Sequence, residues 1–293
     1  MIWLIGYKGL LGSAVLEILK NTNLHFFQTD SKADVSDYTT LESIALQSSE
    51  KITHIINCSG YTNVDKAENE KLLAEKVNVT GPENLAKLSN KLNATLIHIS
   101  SDYVFSGNNK SPILESEKTD PISVYGKTKA SGDDKIIKKA KKYYILRTSW
   151  LFGGNRKNFV TTMINLFNNK NQVKVVNDQI GSPTYSRDLA NVIVKIIKKE
   201  IEENNIPYGI YNFSSQSTIS WYDFAVEIKK QGEKLDIVKN SQCILAPCSS
   251  KEYITDAKRP AYSVLCKDKI SKTLNIKIPD WKSSLGDYLQ TLI

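Results

Sequence analysis

Short apolar runs alternate with amphipathic segments through the first half of the chain. The runs at 2–5 (IWLI), 52–57 (ITHIIN) and 95–99 (TLIHI) have the continuous apolar character of strands that are buried on both faces of a parallel sheet. Between them, apolar residues recur at helical spacing, as at 13–20 (SAVLEILK). This alternation predicts an α/β fold with a doubly wound parallel sheet and right-handed crossovers.

A glycine-rich turn joins the first predicted strand to the first predicted helix. Its sequence, GYKGLLG, places glycines at positions 6, 9 and 12. Glycines at such a turn let the backbone approach a pyrophosphate, and the helix that follows presents free N–H groups to the same anion. A glycine turn can also be purely structural, but its position between strand and helix favours a dinucleotide site of the Rossmann type.

An acidic residue, Asp30, ends the second predicted strand, 18 residues after Gly12. A carboxylate at this distance can accept hydrogen bonds from the adenosine ribose. An ordinary turn aspartate is an equally good interpretation. Because a carboxylate repels a 2′-phosphate, Asp30 favours NADH over NADPH, and nearby Lys32 could offset that preference.

A tyrosine and a lysine, Tyr125 and Lys129, stand four residues apart in a predicted helix, so they lie on one face. A nearby cation stabilises a phenolate and lowers the pKa of a tyrosine toward neutrality. Ser101 lies 24 residues upstream at a predicted strand end, where its hydroxyl can orient a carbonyl group. Tyrosine–lysine pairs also arise by chance in a lysine-rich chain. Behind a strand-end serine and a glycine turn, the set predicts reduction of a ketone by a nicotinamide.

Composition and charge exclude several other classes of protein. The net charge is +8, but lysine runs such as KIIKKAKK carry apolar residues at helical spacing and are typical of solvated helix faces. No nucleic-acid motif accompanies the charge, so we expect no nucleic-acid partner. No apolar run approaches the length of a membrane span and no signal-peptide pattern opens the chain, so we expect a cytoplasmic protein without a membrane partner. The four cysteines lack metal-site spacing and are expected to be reduced.

Seven longer segments are more specific to a protein family than the glycine turn or the tyrosine–lysine pair. They are YTNVDKAE (61–68), ISSDYVFSG (99–107), VYGKTKASGD (124–133), ILRTSWLFG (145–153), VVNDQIGSPTY (175–185), RPAYSVLCKDKI (259–270) and PDW (279–281). Together they closely resemble the dTDP-4-dehydrorhamnose reductase family of the extended short-chain dehydrogenase/reductase superfamily. The resemblance runs in order along nearly the whole chain. It implies reduction of the 4-keto group of dTDP-4-dehydro-L-rhamnose to dTDP-L-rhamnose, with NADPH or NADH as cofactor.

The resemblance also implies roles for individual residues. Tyr125 would donate the proton, Lys129 would hold the nicotinamide ribose and lower the pKa of Tyr125, and Ser101 would replace a more usual threonine. The implied cofactor-binding residues, besides Tyr125 and Lys129, are Gly6, Gly9, Leu10, Leu11, Gly12, Asp30, Asp34, Val35, Gly60, Tyr61 and Thr62. The implied substrate-binding residues, besides Ser101, are Val64, Asp102, Tyr103 and Trp150. Arg259 is a candidate for a diphosphate contact because of its charge, although a surface arginine is nearly as good an interpretation.

The boundaries of two domains are predicted from these assignments. An NAD(P)-binding Rossmann domain is expected at 1–150, with returning segments near 173–200 and 207–214. A smaller C-terminal substrate lobe is expected mainly at 151–172 and 215–293.

The expected partner is a dTDP-sugar, bound by a monomer or a homodimer. Some members of the family bind magnesium through glutamates at a dimer contact. The matching segment here reads YSRDLAN, with Arg187 and Asp188, so we expect neither that metal nor that dimer. Two alternatives stay open: a reductase of another nucleotide-linked 4-keto-6-deoxysugar, and a non-catalytic subunit similar to the regulatory subunit of methionine adenosyltransferase. The intact Ser101, Tyr125 and Lys129 argue against the non-catalytic alternative.

Overall fold

A computed structural model describes residues 1–203 and 206–293 and has a six-stranded sheet at its centre. Its strands are β1 (Ile2–Ile5), β2 (Phe26–Thr29), β3 (His54–Asn57), β4 (Thr95–Ser101), β5 (Tyr143–Thr148), β6 (Leu151–Phe152), β7 (Gln172–Val176), β8 (Ile180–Gly181), β9 (Thr184–Tyr185), β10 (Gly209–Asn212), β11 (Ile219–Ser220) and β12 (Ile244–Cys248). Its helices are α1 (Leu10–Lys20), α2 (Tyr38–Leu46), α3 (Val64–Ala67), α4 (Lys71–Glu75), α5 (Gly81–Leu92), α6 (Val124–Lys139), α7 (Phe159–Asn169), α8 (Ser186–Glu203), α9 (Trp221–Lys234), α10 (Asp268–Leu274) and α11 (Trp281–Gln290). Over the described residues, none of these helices is long and apolar enough to cross a membrane.

The central sheet is parallel throughout, in the order β2, β1, β3, β4, β5, β10. Side chains of β1 alternate between its two faces. Ile2 and Leu4 pack into a core with α1 and α8, whereas Trp3 and Ile5 pack into a core with α2, α5 and α6. Both faces are therefore buried, which is why the strands read as continuous apolar runs. The predicted doubly wound α/β sheet is confirmed.

A third hydrophobic core lies beside the sheet and contains α7, α9 and α11 with β7 and β12. Phe152 and Phe224 are fully buried in it. The sequence interpretation grouped 173–176 with the first domain, but β7 instead pairs with β12 in a separate two-stranded sheet. The physical reason lies in its pattern, because Val173 and Val175 are buried while Gln172 and Lys174 are exposed. A strand with one buried face suits a small lobe better than the middle of a doubly covered sheet.

The strand order reverses between β1 and β3, because β1 continues to β2 on one side while β3 lies on its other side. Open α/β sheets bind ligands beyond the carboxyl ends of the strands at such a reversal. Gly6 follows β1 here, Cys58 follows β3, and Ser101 ends β4. The fold therefore brings the predicted motifs to one edge of the sheet.

Candidate active site

A cavity of about 430 Å³ lies at this edge of the sheet. Most of the predicted site residues line it, namely Gly9, Leu10, Leu11, Gly60, Thr62, Val64, Ser101, Asp102, Tyr103, Tyr125, Lys129 and Trp150. The sequence interpretation did not include the remaining lining residues, which are Cys58, Ser59, Ile99, Ser100, Thr148, Ser149, Leu151 and Trp221.

The glycine turn between β1 and α1 depends on two close backbone approaches. Gly6 has a φ of +78°, and a Cβ there would lie 2.8 Å from the backbone nitrogen of Ser59. A Cβ on Gly12 would lie 2.1 Å from the carbonyl oxygen of Gly6, so only glycine lets α1 pack on the turn. Gly9 occupies the N-cap of α1 without a side-chain hydrogen bond from the described residues. The first N–H groups of α1 are thus available to an anion.

Asn78 holds the loop that follows β3. Its side chain accepts a hydrogen bond from the backbone nitrogen of Tyr61 (2.9 Å) and donates to the Tyr61 carbonyl (3.0 Å) and the Thr128 hydroxyl (3.1 Å). The loop is therefore tied to α6, with Gly60 and Thr62 facing the cavity. The Tyr61 hydroxyl donates to Glu70 at 2.6 Å, away from the lining.

Ser101, Tyr125 and Lys129 meet in the cavity, and we call this set the polar floor. Helix α6 starts after Ser123, whose hydroxyl accepts from the backbone nitrogen of Gly126 at 3.1 Å. The Ser101 hydroxyl donates to Asp102 Oδ1 at 3.0 Å, and Lys129 Nζ donates to the Ile99 carbonyl at 2.7 Å. Ser101 and Lys129 are 7% and 5% exposed, so their polar groups act largely away from bulk water.

Burial dominates the pKa values on the polar floor. It raises the pKa of Tyr125, and the hydrogen bond with Ser101 opposes that rise only in part. The lowering of the Tyr125 pKa by Lys129 stays a prediction, because the effects resolved in the ligand-free site are burial, the hydrogen bond with Ser101 and the charges of acidic neighbours. Burial also lowers the pKa of Lys129 to about 8, against the opposing charge of Asp133. The pKa of Asp102 is raised to about 6 by burial, against hydrogen bonds from Ser263 and Ser101.

Two tryptophans, Trp150 and Trp221, also line the cavity. Trp150 and Trp221 stack with ring centroids 3.7 Å apart and planes 12° apart, and Phe159 packs on Trp221 at 4.5 Å. We call these three residues the aromatic wall. Trp150 has a φ of +46°, a strained conformation for a bulky residue, and a Cβ on Gly181 would lie 2.5 Å from its ring. The surroundings therefore hold Trp150 in an orientation that its own backbone disfavours.

A second cavity of about 240 Å³ lies behind the aromatic wall. Trp221 lines both cavities, and Arg259 lines the second one. Arg259 Nη2 pairs with Asp65 at 2.8 Å, and its Nη1 donates to the Tyr103 hydroxyl at 3.3 Å. The candidate diphosphate residue thus lies between the second cavity and Tyr103 of the first, already paired with a carboxylate.

Several predicted cofactor residues lie outside the main cavity. Gly6 and Gly12 do not line the cavity, but they permit the close backbone approaches of the glycine turn. Asp30 lies 3.7 Å from Lys8, and Asp34 lies 3.5 Å from Lys76. Val35 is buried in the core that includes α2, α5 and α6.

Trp221 is the functional candidate that sequence reasoning missed most clearly. Trp221 is the first residue of α9, directly after the Ser220 N-cap. Trp150 and Trp221 are far apart in sequence, however, so no local spacing indicated that their rings stack.

The whole chain, residues 1–293, matches the family described as RmlD substrate binding domain. It is 38% identical over 282 residues to the dTDP-4-dehydrorhamnose reductase of Aggregatibacter actinomycetemcomitans, covering 96% of this chain and 95% of that one. A crystal structure of a dTDP-4-dehydrorhamnose reductase from Clostridium acetobutylicum superposes with a TM-score of 0.91 at 37% identity, covering 99% of both chains. A Bacillus anthracis dTDP-4-dehydrorhamnose reductase in complex with NADP superposes with a TM-score of 0.89 at 32% identity, covering 99% of this chain and 98% of that one. The chain belongs to the dTDP-4-dehydrorhamnose reductase family.

Proposed function

We propose that this protein reduces the 4-keto group of dTDP-4-dehydro-L-rhamnose with NADPH or NADH and so forms dTDP-L-rhamnose. The observation that carries the proposal is the joint presence of Ser101, Tyr125 and Lys129 in one buried cavity beside the glycine turn. The names of the relatives support the substrate, and the NADP complex of one of them supports the cofactor.

The residues around the glycine turn fit a dinucleotide. The uncapped N-terminus of α1 offers N–H groups to a pyrophosphate, with Gly9, Leu10 and Leu11 along the cavity. Lys129 is the cation suited to hold the nicotinamide ribose hydroxyls, because its side chain is buried among the lining residues. When bound, the dihydronicotinamide supplies the hydride that reduces C4 of the sugar.

Tyr125 is the proton donor in this proposal. Its raised pKa keeps the phenol protonated at neutral pH, which is the form that a reduction requires. As C4 is reduced, the carbonyl oxygen becomes more basic and takes the phenolic proton. Ser101 hydrogen-bonds the same oxygen and so fixes the orientation of the carbonyl group.

The nucleotide part of the substrate would extend from the main cavity toward the second one. The sugar would lie against Val64, Asp102, Tyr103 and Trp150 in the first cavity. Arg259 supplies a positive charge along the route to the second cavity, where a diphosphate would pass. The flat rings of the aromatic wall suit a planar base.

Enzymatically prepared dTDP-4-dehydro-L-rhamnose tests the proposal. We expect absorbance of NADPH or NADH to fall only when this substrate is present, and the product to be dTDP-L-rhamnose by NMR. Formation of the C4 epimer would show that the sugar is presented with its other face and would contradict the product. No oxidation of either cofactor would overturn the proposed function.

A further inference from the structure

A buried polar cluster lies directly beneath Lys129. Its residues have no role in the hydride and proton transfers of the proposed function. It contains His98 of β4, Asn57 of β3 and Asp133 of α6, each 1% exposed. His98 Nε2 lies 3.3 Å from Lys129 Nζ. Because a histidine nitrogen can be a donor or an acceptor, its effect on Lys129 depends on which nitrogen carries the proton.

The orientation of the Asn57 amide is fixed by Ser59. Asn57 Oδ1 accepts from the backbone nitrogen of Ser59 at 3.1 Å and from its hydroxyl at 2.5 Å. The other end of the amide, Nδ2, lies 3.0 Å from His98 Nδ1. Since Nδ2 can only donate, His98 Nδ1 must present a lone pair.

His98 is therefore neutral, with its proton on Nε2. A charged imidazolium would turn a second N–H toward the Asn57 amide, where no acceptor is available. Burial lowers the pKa of His98 well below its ordinary value, and the charge of Lys129 acts in the same direction. The geometry of the amide and the burial of the ring thus give the same protonation state.

Among residues 1–203 and 206–293, the Nε2–H group of His98 has two neighbours that could accept its hydrogen bond. One is Lys129 Nζ, which can accept only as an uncharged amine because an ammonium has no lone pair. The other is Asp133 Oδ1, 4.0 Å from Nε2 and without a hydrogen-bond partner among the described residues. Asp133 Oδ2 is occupied by Ser100 (2.8 Å) and Arg147 (3.4 Å).

We propose that His98, held in its Nε2–H tautomer by Asn57, is a positioning residue that stabilises the amine form of Lys129 and makes this lysine a ready proton source. The inference rests on the proposed function, in which Tyr125 gives its proton to the substrate. A proton from the Lys129 ammonium then restores the phenol, and His98 donates a hydrogen bond to the amine that remains. Lys129 regains a proton from hydronium or a buffer acid in the solution before the next turnover, and this is the one proton that each reduction consumes.

The groups around Lys129 differ in whether they stabilise its charged ammonium form or its neutral amine form. From α6, Asp133 favours the ammonium, while Arg147 of β5 neutralises part of the Asp133 charge. Burial favours the amine and is the largest influence on the pKa of Lys129. The His98 N–H adds to the effect of burial because it meets the lysine as a donor.

Nitrogen NMR of the ligand-free protein tests the tautomer directly. The chain has only three histidines, so a His98→Phe variant assigns the signals of this ring by their loss. We expect Nδ1 to give the shift of an unprotonated nitrogen and Nε2 that of an N–H, with no titration around neutral pH. A protonated Nδ1, alone or in an imidazolium, would overturn the proposal. This result does not depend on the identity of the sugar substrate.

The pH dependence of kcat tests the effect on Lys129. Asn57→Asp supplies an acceptor to Nδ1, so the proton moves there and Nε2 turns a lone pair toward the ammonium. We expect this variant and His98→Phe both to shift the alkaline fall of kcat to higher pH, because a raised lysine pKa keeps the ammonium longer. A shift of about one pH unit corresponds to a tenfold change in the lysine equilibrium.

His54→Phe is the matched control, because His54 is a buried histidine of the neighbouring strand β3 and lies outside the cavity lining. Its alkaline limb should coincide with that of the unsubstituted protein. Loss of kcat at every pH in the two test variants, with the limb unmoved, would show that His98 only supports the structure and would overturn the proposal.

Discussion

The polar floor and the two tryptophans of the aromatic wall line the same cavity, but their functional groups are held by different means. On the floor, hydrogen bonds to strand ends fix individual atoms, as with Lys129 on the Ile99 carbonyl. On the wall, Trp150 and Trp221 are held by stacking of their rings. This contact is spread over the ring faces and does not depend on one hydrogen bond. Hydrogen bonds specify direction, whereas stacking tolerates small shifts. We therefore expect the floor to control the chemical step and the wall to control affinity for the substrate.

Replacing Tyr125 by Phe is the strongest test of this division. The change removes the proposed proton donor while keeping the ring that packs at 5.6 Å on Tyr103. We expect kcat to fall about 10²- to 10⁴-fold, the usual contribution of general acid catalysis. Cofactor affinity, measured by fluorescence titration, should stay nearly unchanged. A variant that kept full turnover would remove Tyr125 from the mechanism.

Replacing Trp221 by Ala should have the opposite kinetic signature. Loss of the stack with Trp150 removes about 1 kcal/mol of aromatic contact, so the KM for the sugar nucleotide should rise by up to about tenfold. The kcat at saturating substrate should change little. Trp221→Phe retains an aromatic ring, so its KM should lie between that of the unsubstituted enzyme and that of Trp221→Ala. A drop in kcat with an unchanged KM would contradict the separation of floor and wall.

Gly181→Ala tests the wall from a residue outside both cavities. The new Cβ would lie 2.5 Å from the Trp150 ring, so the ring must move. We expect a rise in KM of roughly threefold to tenfold, since the same stacking contact is disturbed. As a matched control, Gly286→Ala adds a methyl group on α11 whose nearest neighbour is the end of the flexible Gln231 side chain, 3.1 Å away, so it should leave the KM unchanged. Equal KM for the Gly181→Ala and unsubstituted enzymes would show that the orientation of Trp150 is unimportant.

The smallest expected effect concerns Asp30, which lies 3.7 Å from Lys8 at the end of β2. Asp30→Ala removes a charge that repels a 2′-phosphate and frees Lys8. The ratio of kcat/KM for NADPH to that for NADH should rise by about threefold, in keeping with the small energies of exposed charges. Glu42→Ala removes an equal charge that pairs with Lys91, and it should leave the ratio unchanged. An unchanged ratio for Asp30→Ala would remove its role in cofactor choice.

The floor was largely predictable from sequence, because its signals are local. Tyr125 and Lys129 share a helix face through their spacing of four residues, and Ser101 ends a strand whose apolar run is plain in the sequence. The glycine turn was recognisable from its position between a strand and a helix. The signs of the pKa shifts were less accessible, since the depth of burial of Tyr125 depends on the whole fold.

The wall and the buried cluster were not predictable, because they depend on contacts between distant segments. Trp150 stacks on Trp221, and Arg259 pairs with Asp65, only in the folded chain, where segments that are distant in sequence pack together. His98 looked like part of an ordinary buried strand until the Asn57 amide showed which of its nitrogens is protonated. The pairing of segment 173–176 also depends on a distant segment, because the sequence of a strand does not show which other strand it pairs with. In the structure this segment pairs with β12.

Transfer of deuterium from NADPH that is deuterated at both C4 positions to dTDP-4-dehydro-L-rhamnose tests the proposed hydride and proton transfer. We expect the label at C4 of the hexose in dTDP-L-rhamnose, and we expect Tyr125→Phe to incorporate it at a rate lower by about 10²-fold or more. Deuterium at another carbon, an unlabelled product, or equal incorporation by the Tyr125→Phe variant would contradict it.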